Sequence, residues 1–415
     1  MPDISTALIT DDAVVLGLLA VTLGAVFWTA SRPDGFWQKF YNVVPALLVC
    51  YLVPAIFNSI GLIDGAGSGL YPMARDYLLP SALVLFCVAM DIGAILRLGP
   101  KALIMFLTGT AGVMLGALVS FWAMGFIHPE TVANETWRGM TTVAGSWIGG
   151  GANQAAMKEV FEVDATLFGQ FVAVDVIVAY FWMAILLFMA PRATTFDRWV
   201  GADTSAIEDL KRHIATYQSE HARVPTMTDF MLIFAVGLGL TGLSHFLATP
   251  LVGWIQSLPL EWRLQDYSLD SRFFWIVVFA TTFGVILSFT RARRLEGAGA
   301  STIGSVMLYV LIATIGMQMD LKALADKPML LLLGAIWISV HAVLLVGVAR
   351  LIRAPLFFLA VGSQANIGGA ASAPVVASAF HPSLAPVGVL LAVFGYALGT
   401  YCAYITGLGL QWLAG

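Results

Sequence analysis

Charge is scarce in this 415-residue chain. Asp, Glu, Lys and Arg together make up 11% of it, against about 25% in ordinary soluble domains. The 21 basic and 25 acidic residues leave a formal charge of −4, and no basic patch interleaved with aromatics occurs, so the sequence argues against nucleic-acid binding. There are only three cysteines, Cys50, Cys87 and Cys402, all inside apolar stretches, which reads as small packing residues rather than disulfide or metal ligands. The six histidines, His128, His213, His221, His245, His341 and His381, are scattered without ligand spacing. Neither a His-Glu-x-x-His motif nor a Walker-type phosphate loop is present. The expectation is therefore no enzyme, no bound cofactor and no direct use of ATP. Residues Met1 to Asp12 are acidic and lack the basic n-region of a cleavable signal peptide, so the first apolar segment is expected to remain as an anchor.

Apolar sequence is what the chain has in abundance. Hydrophobic residues reach 59% and the mean hydropathy is +0.86, which excludes an ordinary soluble fold. Long apolar stretches lie near 13–30, 42–60, 77–95, 101–127, 138–163 and 166–190. A second set lies near 228–250, 272–290, 302–319, 328–349, 354–380 and 385–412. Spanning a hydrocarbon core of about 30 Å takes about 20 residues. The pattern predicts an all-α integral membrane protein of about twelve apolar segments. Residues 1–190 form a first repeat, 191–227 a polar linker with an amphipathic helix near 205–219, and 228–415 a second repeat.

Matched landmarks support the division into halves. Met90-Asp91-Ile-Gly-Ala-Ile-Leu ends the third segment of the first half, and Met319-Asp320-Leu-Lys-Ala-Leu ends the third of the second. A Gly-rich polar stretch then falls in the fifth segment of each: Gly145-Ser-Trp-Ile-Gly-Gly-Gly-Ala-Asn-Gln-Ala-Ala156, and Gly362-Ser-Gln-Ala-Asn-Ile-Gly-Gly-Ala-Ala-Ser-Ala-Pro374. Twelve simple crossings divide Lys and Arg nearly evenly. If the Gly-rich segments enter and leave on one side, the halves are inverted, and 14 basic residues gather inside against 7 outside. Inverted repeats with the N-terminus outside follow. Whether the segments are re-entrant hairpins or broken crossing helices stays open at this level.

Helix-breaking glycines beside Ser, Asn and Gln free backbone groups that lipid cannot satisfy, so such backbone must be buried in protein or line a polar cavity. Two breaks at corresponding places in two halves are the best pointer to a transporter's binding site. The N–H end of a break suits a carboxylate and the carbonyl end suits Na⁺. Glycines Gly149, Gly150 and Gly151 permit unwinding, with Ser146, Asn153 and Gln154 alongside. The second set is Ser363, Gln364, Asn366 and Ser372 around Gly368 and Gly369. These twelve are the candidate substrate-binding residues. Close helix packing explains the Gly and Ala alone but not the amides in both copies.

Asp175 stands alone in a long apolar segment, and an intramembrane carboxylate is costly enough to be a functional hypothesis by default. Together with Asn153 and Asn366 it forms the candidate sodium set; the alternatives are proton uptake, or a hydrogen bond to the neighbouring break. Asp91 and Asp320 read as caps or interfacial groups. Lys158 reads as a snorkelling cation or an anion attractor, and His341 as hydrogen-bonded packing.

The paired Gly-Ser-Trp-Ile-Gly-Gly-Gly-Ala-Asn and Val-Gly-Ser-Gln-Ala-Asn-Ile-Gly-Gly-Ala-Ala-Ser-Ala-Pro patterns resemble the multi-pass membrane family called domain of unknown function 819, over nearly the whole chain. More distantly, Ile315-Gly-Met-Gln-Met-Asp-Leu321 resembles the third helix of each repeat in the bile-acid/sodium symporter and sodium/proton antiporter group. That resemblance implies a static panel, a moving core, two broken elements meeting at the midplane, and sodium or proton coupling.

The reading reached from sequence is a secondary transporter in the bacterial inner membrane. It is expected to couple sodium, or protons, to a small organic anion, amino-acid derivative or short peptide. A cation/proton antiporter is the nearest alternative, and a passive channel or structural membrane protein the alternative from another class. The expected partners are the lipid bilayer and a small-molecule substrate. A homodimer is suggested only by analogy of architecture.

Overall fold

A computed structural model describes residues 7–32, 35–202, 207, 224–258, 269–318, 327–381 and 384–415. Asp320 and the linker helix expected near 205–219 fall almost wholly outside those residues. The first half contains α1 (Asp12–Ala30), α2 (Gly35–Val43), α3 (Ala46–Ser59), α4 (Leu70–Met73), a π-helical turn (Ala74–Leu78), α5 (Leu79–Val88), α6 (Ile92–Arg97), α7 (Pro100–Ile127), α8 (Pro129–Val132), α9 (Thr136–Val160), α10 (Ala165–Met189) and α11 (Ala193–Val200). The second half contains α12 (Met227–Gln256), α13 (Arg272–Ser288), a 3₁₀ turn (Arg291–Ala298), α14 (Ala300–Gly316), α15 (Met329–Ile352), α16 (Leu356–Ile367), α17 (Gly369–Phe380) and α18 (Ala385–Ala414).

No strand occurs among the described residues; one isolated bridge joins Ile9 and Ile63. Six of the described helices are long and apolar enough to cross a membrane, and up to eight spans result if each of two bent pairs counts as one. The protein is thus an all-helical integral membrane protein. Its outer face agrees, because α12 turns Phe230, Met231, Phe234 and Phe246 outward, and so large an apolar surface needs lipid or protein over it.

Local chemistry sets where these helices begin. Asp11 accepts from the backbone of Ala13 and Val14 at 2.9 and 3.0 Å to cap α1. Asp164 does the same for α10 through Thr166 and Leu167, and Thr226 forms a reciprocal capping box with Asp229 at α12. Each cap satisfies N–H groups that the helix itself cannot. Asp91 caps α6 through Ala94 N at 2.9 Å and pairs with Arg293 at 3.2 Å, the capping role read from sequence.

The two halves interleave. In the first half α5 packs against α12, α13 and α14, while α14 packs in turn against α1 and α3. Ser81 and Thr241 share a buried hydroxyl bond at 2.9 Å between α5 and α12. Phe27 of α1 meets Tyr309 of α14 edge-on at 4.7 Å. The long helices α7 and α15 pack along each other, held where the Trp337 indole donates to the Val113 carbonyl at 2.7 Å.

Candidate functional site: two hairpins that meet at their tips

The 25 residues of α9 would reach about 37 Å as a straight helix at 1.5 Å per residue. Its ends are nevertheless in contact. Arg138 Nη1 donates to the Phe161 carbonyl at 2.7 Å, and the Trp137 and Phe161 rings stand 5.8 Å apart. The chain therefore doubles back, and it does so at Gly149 (φ −133°, ψ 15°) and Gly150 (φ 71°, ψ −176°). The second conformation is one that only glycine adopts without strain. α16 and α17 repeat the design: Gly369 takes φ 58°, and Phe357 and Phe380, at the outer ends of the two arms, meet with rings 5.5 Å apart. Both Gly-rich segments are helical hairpins.

The hairpins enter from opposite ends of α10. That helix is capped by Asp164 and starts at Ala165, just past the foot of the first hairpin. Through Ala190–Arg192 it leads to α11, where Asp197 accepts from the Leu356 N–H at 2.7 Å, at the foot of the second. The tips meet between these ends: a methyl group built on Gly369 would lie 3.9 Å from the Gly150 Cα. The ring of Tyr396 borders Gly150, Leu308 borders Gly151, and the backbone of Ala370 hydrogen-bonds the Tyr396 hydroxyl.

Two asparagines fasten the hairpins by the same bond pattern. Asn153 Nδ2 donates to the Gly149 carbonyl at 3.0 Å and to the Tyr396 carbonyl of α18 at 2.9 Å, while its Oδ1 accepts from Thr400 at 2.6 Å. Asn366 Nδ2 donates to the Gly362 and Phe106 carbonyls, both at 2.9 Å, and its Oδ1 accepts from Thr110 of α7 at 2.8 Å. In each case the partner helix presents a carbonyl, and four residues later a threonine. Gly399 and Gly109 precede those threonines, and a side chain at either would strike the asparagine amide. Each hairpin is thereby bonded to a long helix of the other half. Sequence reasoning had not singled out these partners, although Phe106-x-x-Gly109-Thr110 and Tyr396-x-x-Gly399-Thr400 were readable as a repeated aromatic-x-x-Gly-Thr signature.

α10 clasps both hairpins. The Asp175 carboxylate accepts from the Trp147 indole at 2.6 Å and from Gln154 Nε2 at 2.9 Å, and Ser146 bonds to it as well. Trp147 and Ser146 lie on the first arm and Gln154 on the second, so one buried carboxylate joins the two arms. Seven residues on, the Trp182 indole donates to Ser363 Oγ at 2.8 Å. Ser363 also bonds His341 Nε2 at 2.8 Å, and His341 Nδ1 lies 3.1 Å from the Gly109 carbonyl. A carbonyl only accepts, so Nδ1 carries the proton and Nε2 accepts from Ser363. This neutral histidine joins α7, α15 and the second hairpin, the hydrogen-bonded packing role read from sequence. Ser363 is directed into that network.

The candidate sodium residues Asn153, Asp175 and Asn366 belong to three separate bond sets, and each already accepts protein donors. Gln364 differs. Its Nε2 donates to Ser372 Oγ at 2.8 Å, but its Oε1 is buried with no hydrogen-bond partner among the described residues, as is the Tyr51 hydroxyl. Tyr51 and Tyr180 lie within electrostatic range of Asp175, so phenols from α3 and α10 flank the clasp.

Lys158 does not snorkel. It is buried at the foot of the first hairpin, donating to the Tyr71 hydroxyl at 2.5 Å and to Glu159 at 2.8 Å. Tyr71 also bonds Glu159, which Arg75 of the π-helical turn approaches at 3.4 Å. A cavity of about 350 Å³ opens there, lined by Arg75, Asp76, Lys158, Glu159, Glu162 and Arg272 among others.

Residues 17–413 match the model of the family described as protein of unknown function DUF819. The chain is also 24% identical over 408 residues to the uncharacterized membrane protein YjcL of Bacillus subtilis (strain 168), covering 96% of this chain and 97% of that one.

Proposed function

The chain belongs to the DUF819 family of unknown function, and on that premise we propose that it is an ion-coupled secondary transporter working by alternating access. The observation that carries the proposal is the meeting of two broken helices at Gly150 and Gly369, one from each end of α10. Two helix N-termini, the arms starting after Gly150 and at Gly369, begin at this junction, and the positive end of a helix suits an anionic group. Small organic anions, amino-acid derivatives and short peptides are the substrate class on this reading, and sodium is the coupling ion.

The interleaving of α5 with α12 and α13, and of α14 with α1 and α3, supports two inverted repeats related by an axis in the membrane plane. The foot of the first hairpin then faces outside and that of the second faces the cytoplasm. Such an arrangement in a bacterial inner membrane puts 14 of the 21 basic residues inside. No carboxylate sits in either Gly-rich stretch, and the nearest, Asp175, clasps a hairpin. That favours symport over cation/proton antiport.

The test is thermal stability of the purified protein in Na⁺ against K⁺ or choline at equal ionic strength, repeated with Asn153→Ala. A cation bound only by the folded state raises the melting temperature by mass action. Stabilisation by Na⁺ that the variant lacks is the expected result. No response to Na⁺ in the unaltered protein would remove sodium and bring proton coupling and the passive channel forward.

A further inference from the structure

Gln364 Oε1, beside the second break, is a buried polar atom with no partner among the described residues. The residue is 1% exposed, and its Nε2 donates to Ser372 Oγ at 2.8 Å. The amide lies at the break itself, because a methyl group built on Gly368 would overlap both Gln364 Nε2 and Ser372 Oγ. It therefore stands where the twelve-residue arm α17 begins, beside N–H groups that the arm cannot satisfy internally. The Ala370 N–H is taken by the Tyr396 hydroxyl, and the rest of the arm's first turn begins beside this orphaned acceptor.

A ligand answering both must pair an anionic group with an N–H or O–H donor, as an α-amino acid does on a single carbon. A plain carboxylate satisfies the N–H end but leaves a buried carbonyl oxygen without a donor, which costs about ten-fold or more in affinity. A bare cation fits poorly, because hard cations gather several oxygens, while Ser372 Oγ beside it already accepts a protein donor. One N–H group needs only one acceptor. Resting on the transporter reading above, we propose that Gln364 is the specificity-determining residue of the tip site, accepting from the amino group of an α-amino acid or close derivative whose carboxylate lies against the start of α17. Ser372 is its positioning residue.

The experiment titrates the purified full-length protein with each standard amino acid and with the matching acid lacking the α-amino group, reading the melting temperature. The expected result is at least one amino acid that stabilises, with its deaminated partner about ten-fold or more weaker. Gln364→Met, which keeps the volume and removes the acceptor, brings that ratio close to one without weakening the deaminated acid. Gln364→Glu keeps an acceptor and retains the preference for the amine, which serves if the methionine variant does not fold. A deaminated acid binding the unaltered protein as tightly as its amino acid overturns the assignment to Gln364 while leaving an anion site. Full discrimination surviving in Gln364→Met overturns it too. Absence of any response to either kind of acid removes the anion-transporter reading together with this one.

Discussion

Replacing Asp175 with asparagine should loosen one hairpin more than it harms the rest of the protein. The carboxylate is 5% exposed and takes bonds from both arms of the first hairpin, at 2.6 Å from Trp147 and 2.9 Å from Gln154. A hydrogen bond to a charged partner contributes about 1.5–3 kcal/mol. Asparagine retains one oxygen as an acceptor and turns an NH₂ group toward the other side, so of the bonds from Trp147, Gln154 and Ser146 at least one is lost and the rest are weakened. Burying a neutral amide costs less than burying a carboxylate, which offsets part of that loss. The net destabilisation is about 2 kcal/mol, or a few degrees in melting temperature.

The local readout is hydrogen exchange over residues 145–156, which should accelerate while α7 and α15 stay protected. Combining Asp175→Asn with Trp147→Phe should give clearly less than the sum of the two, since both remove the same bond, with a coupling of about 0.5–3 kcal/mol. Full stability in Asp175→Asn, or additive effects in the pair, would refute the clasp and return the carboxylate to a bare ion-binding role.

Three further outcomes follow from the same geometry. Thr400→Val and Thr110→Val each leave a buried asparagine oxygen unmatched, so each should cost about 1–3 kcal/mol by thermal or chemical unfolding, and equal insensitivity of both would count against the paired fastening. Gly399→Ala places a methyl group against the Gly149 Cα and the Asn153 amide and should destabilise by about 1–3 kcal/mol, whereas Gly242→Ala, with nothing within 4 Å on α12, should be neutral or stabilising by about 0.5–1 kcal/mol. Lys158→Met removes the cation that bonds Tyr71 and Glu159 and should lower stability by leaving the glutamate with only the longer Arg75 pair, while Lys158→Met combined with Glu159→Gln recovers part of that loss.

Most of the architecture was legible because membrane helices write themselves in composition. Six of the apolar stretches hold helices long and apolar enough to cross a membrane, and the glycines at 149–151 and 368–369 mark real breaks. What composition could not disclose was that the arms fold back. That depends on contacts between residues about 23 apart, Arg138 with Phe161 and Phe357 with Phe380, and Gly-rich broken helices that cross would have looked the same in sequence.

The polar residues were found but their partners were not. Asn153 and Asn366 stand out by type, yet the threonines that fix them lie 247 and 256 residues away, within ordinary-looking helices. Asp175 drew attention as a lone charge, and nothing local revealed that an indole and an amide from two arms converge on it. Lys158 looked interfacial because Glu159 beside it and distant Tyr71 form its cage only in three dimensions. The π-helical turn bearing Arg75 has no marker that a helical pattern would expose.

The most direct test of the whole account is solute movement itself, in proteoliposomes given an inward sodium gradient and labelled amino acids. The account predicts accumulation above the outside concentration, abolished when a sodium ionophore collapses the gradient and reduced by Gly150→Leu, which fills the tip junction. Flux that only equalises the concentration, whatever the sodium or proton gradient, would contradict it and identify a passive pathway instead.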